Sequence, residues 1–437
     1  MSLKQLERTL KLDLKAALGC TEPIAIALGA CKAKRLTSGK TTKILLRLST
    51  NLLKNALEVG IPGTGGQRGI TLAAALGSLS PAENPSLTLL EGMNDEWLKE
   101  AKKLNDSGIV HVELVPEMRG LYMDVIVTDD KNNKGRCVIS GSHENIILLE
   151  KNGAVVFSSH STGDNGTGEL LKERENLSKV PFKEIWNDIG SLSDEMRKLM
   201  LDGIEMNLKV ANAGLNKEGF LNIGNIYNQM ISEGWIGNDI INKAKALTSA
   251  AVDARMSGCD LQVMSAAGSG NQGLAISLPL YVLAKENKIS DKKLTEALAI
   301  SYGVTSILKH HSGTLSAMCG CIVCAGIGLA AGITYILGGT LEQATDAINN
   351  MVGSITGVIC DGAKVGCAMK LVCAVDSAFQ SSLMALKGLK LPITNGVLGD
   401  CVETSLGNIG RIAAPGMVQT DDQILAIMLG KPNHQQS

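Results

Sequence analysis

The segment SGTLSAMCGCIVCAGIGLAAGITYILGGTL, residues 312–341, contains no Asp, Glu, Lys or Arg. A run of this length could span a bilayer. However, five glycines fall within Gly320–Gly338, and no cluster of Lys or Arg stands at either end. We therefore predict a helix that is apolar on all sides because other helices surround it, and we expect no membrane partner.

The composition narrows the class of protein. The 437 residues are 45% hydrophobic and carry a net charge of only -1, so we do not expect a nucleic-acid partner. The first 19 residues are charged and amphipathic and resemble no export signal, which predicts a cytoplasmic protein. Eleven cysteines in that reducing compartment are not expected to form disulfides. Metal binding, catalysis or burial must explain them.

Two kinds of periodicity divide the chain. Residues 4–35 are predicted to be helical, with a break at Gly19 and a second helix beginning near Pro23. From about residue 41, short β-branched segments alternate with turn residues, which is typical of strands in a mostly antiparallel sheet. The predicted strands are KILLRLST, SLTLLEG, IVHVELVPE, LYMDVIVTDD, GRCVISGS and NIILLEK, with GITLAAALGSL and NDEWLKEAKKLN as helices packed against them.

After the Gly-rich stretch at 161–169, nearly every segment has a helical pattern. The predicted fold class is α+β, in which an N-terminal α/β domain is followed by an all-helical domain. The predicted divisions are 1–36 for N-terminal helices that carry Cys20, 37–165 for the α/β domain and 166–437 for the helical domain.

Three cysteines crowd into MCGCIVC, residues 318–324. On a regular helix, Cys319 and Cys321 would point about 160° apart, and only Cys321 and Cys324 would be neighbours. All three therefore cannot bind one metal from one helix.

A second cysteine pair lies in ICDGAKVGCAMK, residues 359–370, where Cys360 and Cys367 flank a turn-forming Asp-Gly. Two thiolates there and one from the earlier segment would make a three-cysteine site. Such a site suits a 4Fe-4S cluster with one open iron that acts as a Lewis acid. The alternative is that these thiols are simply buried in the core.

Cys20 begins a predicted helix in LGCTEPIAIA. The helix dipole would push its thiol toward thiolate, whereas Glu22 opposes that shift. We consider Cys20 a candidate base, nucleophile or fourth cluster ligand, and a plain buried cysteine is the alternative.

Two Gly-rich loops are candidate anion sites. Gly268–Gly273 matches G-x-G-x-x-G, but helical segments follow it instead of a βαβ unit, which excludes a dinucleotide site. Its free N–H groups could hold a carboxylate, or the loop could be a tight turn. Gly60–Gly66 is a second such loop. The candidate substrate-binding residues are Asn51, Asn55, Thr64, Gly65, His143, Ser269, Asn271 and Lys364.

Seven segments in chain order resemble the L-cysteine desulfidase family, whose members are related to the α chain of iron–sulfur L-serine dehydratases. They are LGCTEPIAIALGA, KNALEVGIPGTG, GSHENI, DARMSGCD, GSGNQG, LSAMCGCIVCAGIG and ICDGAKVGCAMK. The resemblance extends from about residue 10 to 425. It departs from the family pattern at Val365, where a proline is common, and in the additional thiol of Cys324.

The resemblance implies an oxygen-sensitive 4Fe-4S cluster, no pyridoxal phosphate, and conversion of L-cysteine to hydrogen sulfide, ammonia and pyruvate. Carried over by position, the cluster ligands are Cys319, Cys360 and Cys367, with Cys321 as the substitute for Cys319. We hypothesise that Cys20 removes the α-proton, and the role of fourth ligand stays open. The family leads us to expect a homodimer.

Three other functions are compatible with these residues. An iron–sulfur L-serine dehydratase would bind a hydroxyl in place of the thiol. A cluster carrier or redox protein would have four tight ligands and no turnover. A pyridoxal-phosphate lyase would need Lys364 or Lys309 to form a Schiff base.

Overall fold

The computed structural model describes residues 2–159 and 167–431. The predicted boundary at 165–166, within the Gly-rich stretch, lies outside these residues. In the N-terminal part the elements are α1 (Ser2–Asp13), β1 (Lys15–Leu18), α2 (Thr21–Lys34), β2 (Thr41–Leu48), α3 (Thr50–Ala56), α4 (Ile70–Ser78), α5 (Asp95–Asp106), β3 (Val110–Leu114), β4 (Tyr122–Asp129), β5 (Lys134–Ser140), β6 (Ile146–Lys151) and β7 (Ala154–Ser158).

The C-terminal part is helical apart from one short strand among its described residues. Its elements are α6 (Thr167–Ser178), α7 (Phe182–Asp188), α8 (Asp194–Ala213), α9 (Ile223–Ser232), α10 (Ile240–Met256), β8 (Gln262–Ser265), α11 (Gly270–Glu286), α12 (Asp291–Ser312), α13 (Val323–Ile336), α14 (Leu341–Ile355), α15 (Cys367–Leu386), α16 (Val402–Arg411) and α17 (Val418–Leu429). The predicted α+β class is confirmed.

The main sheet has six strands in the order β3-β2-β4-β5-β6-β7. Only β2 and β3 pair in parallel, with Ile44 opposite Val110, and the other neighbours are antiparallel. The mostly antiparallel sheet is therefore confirmed. Helix α2 packs against β4 and β5, and almost all of its residues are buried between the sheet and α4.

Helix α13 lies at the centre of the helical part. It packs against α11, α12, α14 and α15, and every one of its residues except Tyr335 is buried. The helix is thus apolar on all sides because protein surrounds it, as the sequence predicts. Within residues 2–159 and 167–431, no helix is both long and apolar enough to cross a membrane.

Three local predictions are wrong. Residues 15–18 form a strand rather than a helix, because β8 pairs with them in an antiparallel ladder. The segment SLTLLEG forms turns, in which Thr88 N–H donates to the hydroxyl of Ser86. The helix expected to include Cys319 begins only at Val323, because the preceding residues bridge to the segment around Ile359.

The two N-terminal helices belong to different hydrophobic cores. Leu6 and Leu10 of α1 are buried among the C-terminal helices, whereas Ile24 and Leu28 of α2 are buried against the sheet. The short ribbon of β1 and β8 joins the two cores. Cys20 lies two residues after the end of β1 and directly before α2, and therefore at the junction.

Candidate active site

A pocket of about 90 Å³ lies at this junction. Its walls come from the start of α2, the end of α10, the start of α11 and the loops that precede α13 and α15. Five of the eleven cysteines line it, namely Cys20, Cys319, Cys321, Cys360 and Cys367. The fold therefore gathers thiols that are more than 300 residues apart in sequence.

The turn before Cys20 is fixed by close backbone packing. Gly19 has φ +57°, and a Cβ at this position would lie 2.0 Å from Pro62 Cγ, so glycine is required. The Gly19 carbonyl accepts a hydrogen bond of 2.5 Å from Arg255 Nη2. Part of the Gly60–Gly66 loop, predicted to bind an anion, thus supports the turn that carries Cys20.

Cys20 and Glu22 form a buried pair. The thiol Sγ donates to Glu22 Oε2 at 2.8 Å, and the two residues are 3% and 7% exposed. Burial, and then the charge of Glu22, raises the pKa of Cys20 well above its ordinary value. The thiol therefore holds its proton at rest, and the expected push toward thiolate by the helix dipole is outweighed.

Glu22 is the ionised member of this pair. Burial opposes ionisation, but His143 and the hydrogen bond from Cys20 outweigh it and lower the pKa of Glu22. Glu22 Oε2 also accepts from the hydroxyl of Thr21 at 3.4 Å, and that hydroxyl lies 3.2 Å from His143 Nε2. A chain of polar groups thus leads from Cys20 to His143, which also lines a neighbouring cavity of about 200 Å³.

Cys319 and Cys360 lie on two segments that are joined by backbone hydrogen bonds. Cys319 N–H donates to the Val358 carbonyl at 2.8 Å, and Cys360 N–H donates to the Ala317 carbonyl at 2.6 Å. Cys367 is the first residue of α15. The three proposed ligands therefore lie on short, backbone-anchored segments around one pocket.

The thiols of Cys319 and Cys367 have raised pKa values, which favour the protonated form. A hydrogen bond with Cys321 is the largest cause that raises the pKa of Cys319 to about 12, and burial raises that of Cys367 to about 11. Metal binding would have to displace these protons. Cys324 lies 3.6 Å from the Ser312 hydroxyl and is not part of the pocket wall.

Several lysines lie next to the cysteine segments, and Lys364 stands between Cys360 and Cys367 in the chain. Lys54 Nζ donates to the Cys360 carbonyl at 2.7 Å, and Lys370 Nζ donates to the Ile359 carbonyl at 3.2 Å. Lys309 is 5% exposed and lines the pocket. These cations would offset the negative charge that thiolates bring when they bind metal.

The donor set is chemically suited to an iron–sulfur cluster, because cysteine thiolates are the ligands that hold such clusters. Within the described residues, no three His, Cys, Asp or Glu side chains converge to hold one metal ion. Cys319, Cys360 and Cys367 line one pocket, as the three ligands of one cluster would have to.

Four of the predicted substrate-binding residues line the pocket, namely Asn55, His143, Ser269 and Asn271. Asn271 Oδ1 accepts from Arg255 Nη1 at 2.9 Å. Ser269 precedes α11, and its hydroxyl makes no capping bond to the helix. The first N–H groups of α11 and this hydroxyl are therefore available to a ligand.

The other four, Asn51, Thr64, Gly65 and Lys364, do not line it. Asn51 donates to Asp421 and accepts from Gly120 N–H. The Thr64 hydroxyl closes its own loop by donating to the Ile61 carbonyl at 2.6 Å. Gly65 is exposed, and Lys364 Nζ donates to the Lys54 carbonyl at 3.4 Å. The polar groups of Asn51, Thr64 and Lys364 thus bond to other parts of the protein, and Gly65 lies outside the pocket.

Glu22, Arg255 and Gln272 are among the pocket residues that were not predicted as site residues. All three are less than a tenth exposed. The sequence offered one indication of these residues, namely a polar or charged side chain within a motif of the family resemblance, such as Arg255 in DARMSGCD. Such a signal does not distinguish a pocket residue from an exposed one.

Comparisons with known proteins agree with this architecture. The serine dehydratase alpha chain family matches residues 85–426. A UPF0597 protein of Clostridium tetani is 38% identical over 97% of this chain and 98% of its own length. UPF0597 proteins of Alkaliphilus oremlandii and Clostridioides difficile are each 37% identical, over 98% and 96% of this chain and over 99% and 98% of their own lengths.

These matches confirm the family resemblance carried by the seven motifs, and the family suggests a lyase-type enzyme with an iron–sulfur cofactor. The chain belongs to the serine dehydratase alpha chain family and groups with its UPF0597 relatives.

Proposed function

We propose that this protein is a 4Fe-4S-dependent L-cysteine desulfidase, which converts L-cysteine to hydrogen sulfide, ammonia and pyruvate. The observation that carries the proposal is the placement of Cys20. Its thiol is hydrogen-bonded to an ionised Glu22 in the same pocket as Cys319, Cys360 and Cys367. A carboxylate and three cysteines that could bind metal thus line one small cavity, which supports the proposal.

Cys319, Cys360 and Cys367 would hold the cluster, and an open iron, when bound, supplies Lewis-acid stabilisation of a leaving sulfur. Cys321 also lines the pocket, so its role as a substitute for Cys319 is part of the same proposal.

The protein's own residues move the α-proton. Cys20 would act as a thiolate that takes the proton from the α-carbon. Because the pKa of Cys20 is raised and that of Glu22 is lowered, the proton rests on sulfur, and Cys20 acts only after this proton passes to Glu22 against that difference. The electrons of the broken C–H bond form the Cα–Cβ double bond while the Cβ–S bond breaks and sulfide departs. The product, 2-aminoacrylate, hydrolyses without further catalysis to pyruvate and ammonia.

Substrate orientation would fall to the start of α11. Its first N–H groups, the hydroxyl of Ser269 and the side chain of Asn271 lie on the pocket wall. A helix N-terminus favours a carboxylate, because unpaired N–H groups and the helix dipole both attract negative charge.

The test is turnover of L-cysteine by anaerobically prepared protein, with sulfide and pyruvate both measured. We expect Cys20→Ala to lower kcat by about 100- to 10,000-fold, the typical contribution of a positioned base, and to leave the iron content unchanged. Cys31→Ala is the matched control, because Cys31 is a buried cysteine of the same helix outside the pocket. Full activity of Cys20→Ala would exclude Cys20 as the base.

The second candidate is an iron–sulfur L-serine dehydratase, which the family match over residues 85–426 favours. The same base and the same pocket would serve a hydroxyl leaving group. A comparison of kcat/KM for L-cysteine and L-serine in one anaerobic preparation separates the two functions. A higher value for L-serine would replace the desulfidase proposal, and no turnover of either would favour a cluster carrier.

A further inference from the structure

Several buried polar atoms in the pocket have no hydrogen-bond partner. Across the described part of the chain, the buried side-chain atoms without a partner include Asn55 Oδ1, Arg255 Nε and Gln272 Oε1, and all three residues line the pocket. A buried polar atom that stays unpaired costs about 1–3 kcal/mol. Three such atoms around one cavity indicate that a ligand pairs with them.

Two of these atoms are acceptors. Asn55 Nδ2 donates to Glu22 Oε1 at 3.4 Å, and an ionised carboxylate can only accept, so this contact fixes the amide with Oδ1 unpaired. Gln272 lies against Gly320, where an added Cβ would stand 2.8 Å from Nε2. Gly320 therefore leaves room for the Gln272 amide beside the Cys319 segment, with Oε1 as its unpaired acceptor.

The third atom is a donor. Arg255 is 3% exposed, and its two terminal nitrogens already donate to Asn271 Oδ1 at 2.9 Å and to the Gly19 carbonyl at 2.5 Å. Nε is the guanidinium nitrogen that is buried without any partner, and it lies at the start of α11, where a Cβ on Gly270 would be 2.5 Å from it. A guanidinium donor next to a helix N-terminus is suited to a carboxylate.

We propose that the pocket recognises an α-amino acid through both of its charged groups. Asn55 Oδ1 and Gln272 Oε1, beside the carboxylate of Glu22, accept from the substrate ammonium, and Arg255 Nε donates to the substrate carboxylate. The proposal depends on the proposed function only because it takes this pocket to be the active site. It makes Gln272 and Arg255 specificity-determining residues, and it excludes substrates that lack either charged group.

Two fragments of L-cysteine test the halves separately. Cysteamine keeps the thiol and the ammonium, and 3-mercaptopropionate keeps the thiol and the carboxylate. Their affinities would be measured by anaerobic calorimetry with the cluster-containing protein. Gln272→Met should weaken cysteamine by about 10- to 100-fold, the effect of one charge-assisted hydrogen bond, and leave 3-mercaptopropionate unchanged.

Arg255→Lys should show the reverse selectivity, so that it weakens the binding of 3-mercaptopropionate and leaves the binding of cysteamine unchanged. Gln272→Glu provides a second probe of the ammonium half, because an added negative charge should tighten cysteamine and weaken 3-mercaptopropionate. Thr248→Val is the matched control. It removes another unpaired buried oxygen from α10, the helix that carries Arg255, but outside the pocket.

Equal effects of Gln272→Met on both fragments, or no effect on either, would overturn the proposal, as would wild-type protein that binds neither fragment. The selective pattern in protein that releases no sulfide from L-cysteine would support the recognition proposal and reject the proposed function. Sulfide release from L-cysteine without the selective pattern would support the proposed function and reject the recognition proposal.

Discussion

Replacing Lys54 with methionine should destabilise the fold strongly. Lys54 lies on α3 and is only 1% exposed, and its ammonium lies 2.5 Å from Asp421 Oδ1 of α17. The same group donates to the carbonyl of Cys360. Lys54→Met therefore removes the cation that joins the N-terminal part, the C-terminal helix and the segment that carries Cys360.

The expected loss of stability follows from the charge of Asp421, which stays buried when Lys54 is removed. Removal of one partner of a buried ion pair costs about 3–5 kcal/mol, because the other charge stays buried and uncompensated. Asn51 still donates to Asp421, which favours the lower end of that range. We therefore expect a decrease of about 3 kcal/mol in the free energy of unfolding, or about 150-fold in the unfolding equilibrium constant.

Urea denaturation of reduced, metal-free protein would measure this loss. Lys198→Met is the matched control, because Lys198 pairs with Asp202 on the surface, with side chains 75% and 53% exposed, and should have no measurable effect. Lys54→Met combined with Asp421→Leu should recover most of the stability. A loss below about 1 kcal/mol for Lys54→Met would refute the reasoning about the buried pair.

Three further predictions concern the pocket. Glu22→Gln removes the group that accepts the thiol proton, so kcat for L-cysteine should fall by about 100-fold or more, and a wild-type rate would contradict the Cys20–Glu22 pair. Burial raises the pKa of Cys20, so its alkylation by iodoacetamide in metal-free protein should be slow at neutral pH and should accelerate about tenfold per pH unit up to pH 9. Mass spectrometry would follow the reaction. Alkylation of Cys20 as fast as that of the exposed Cys373, with no pH dependence, would contradict the raised pKa. Cys324→Ala should leave the iron content unchanged, since Cys324 lies outside the pocket wall, and a loss of iron would make Cys324 a ligand.

Periodicity was sufficient to predict the main layers of the fold. The β-branched residues of LYMDVIVTDD and the uninterrupted apolar run after Cys319 each reflect how a segment is buried, and burial follows local composition. The strand at Lys15–Leu18 was not predicted, because its partner lies about 250 residues away in β8. A contact of that separation leaves no local pattern.

The same limit applies to the pocket. Cys20, Cys319, Cys360 and Cys367 were selected from rare residues in recognisable motifs, and all of them line one cavity. Thr64 was selected because it lies within a Gly-rich loop and Asn51 because it lies in the segment before that loop, but the loop supports the Cys20 turn through Pro62. A glycine loop that supports a turn and one that binds an anion have the same composition, so only the fold separates them.

The most direct test of the proposed cluster is its anaerobic reconstitution with iron and sulfide in wild type and in single Cys→Ser variants. The readouts are bound iron and the broad visible absorbance of the cluster. We predict about four irons per wild-type chain and a clear loss of both signals in Cys319→Ser, Cys360→Ser and Cys367→Ser, but not in Cys324→Ser. A full cluster in all three ligand variants would contradict the assignment of this pocket as an iron–sulfur site.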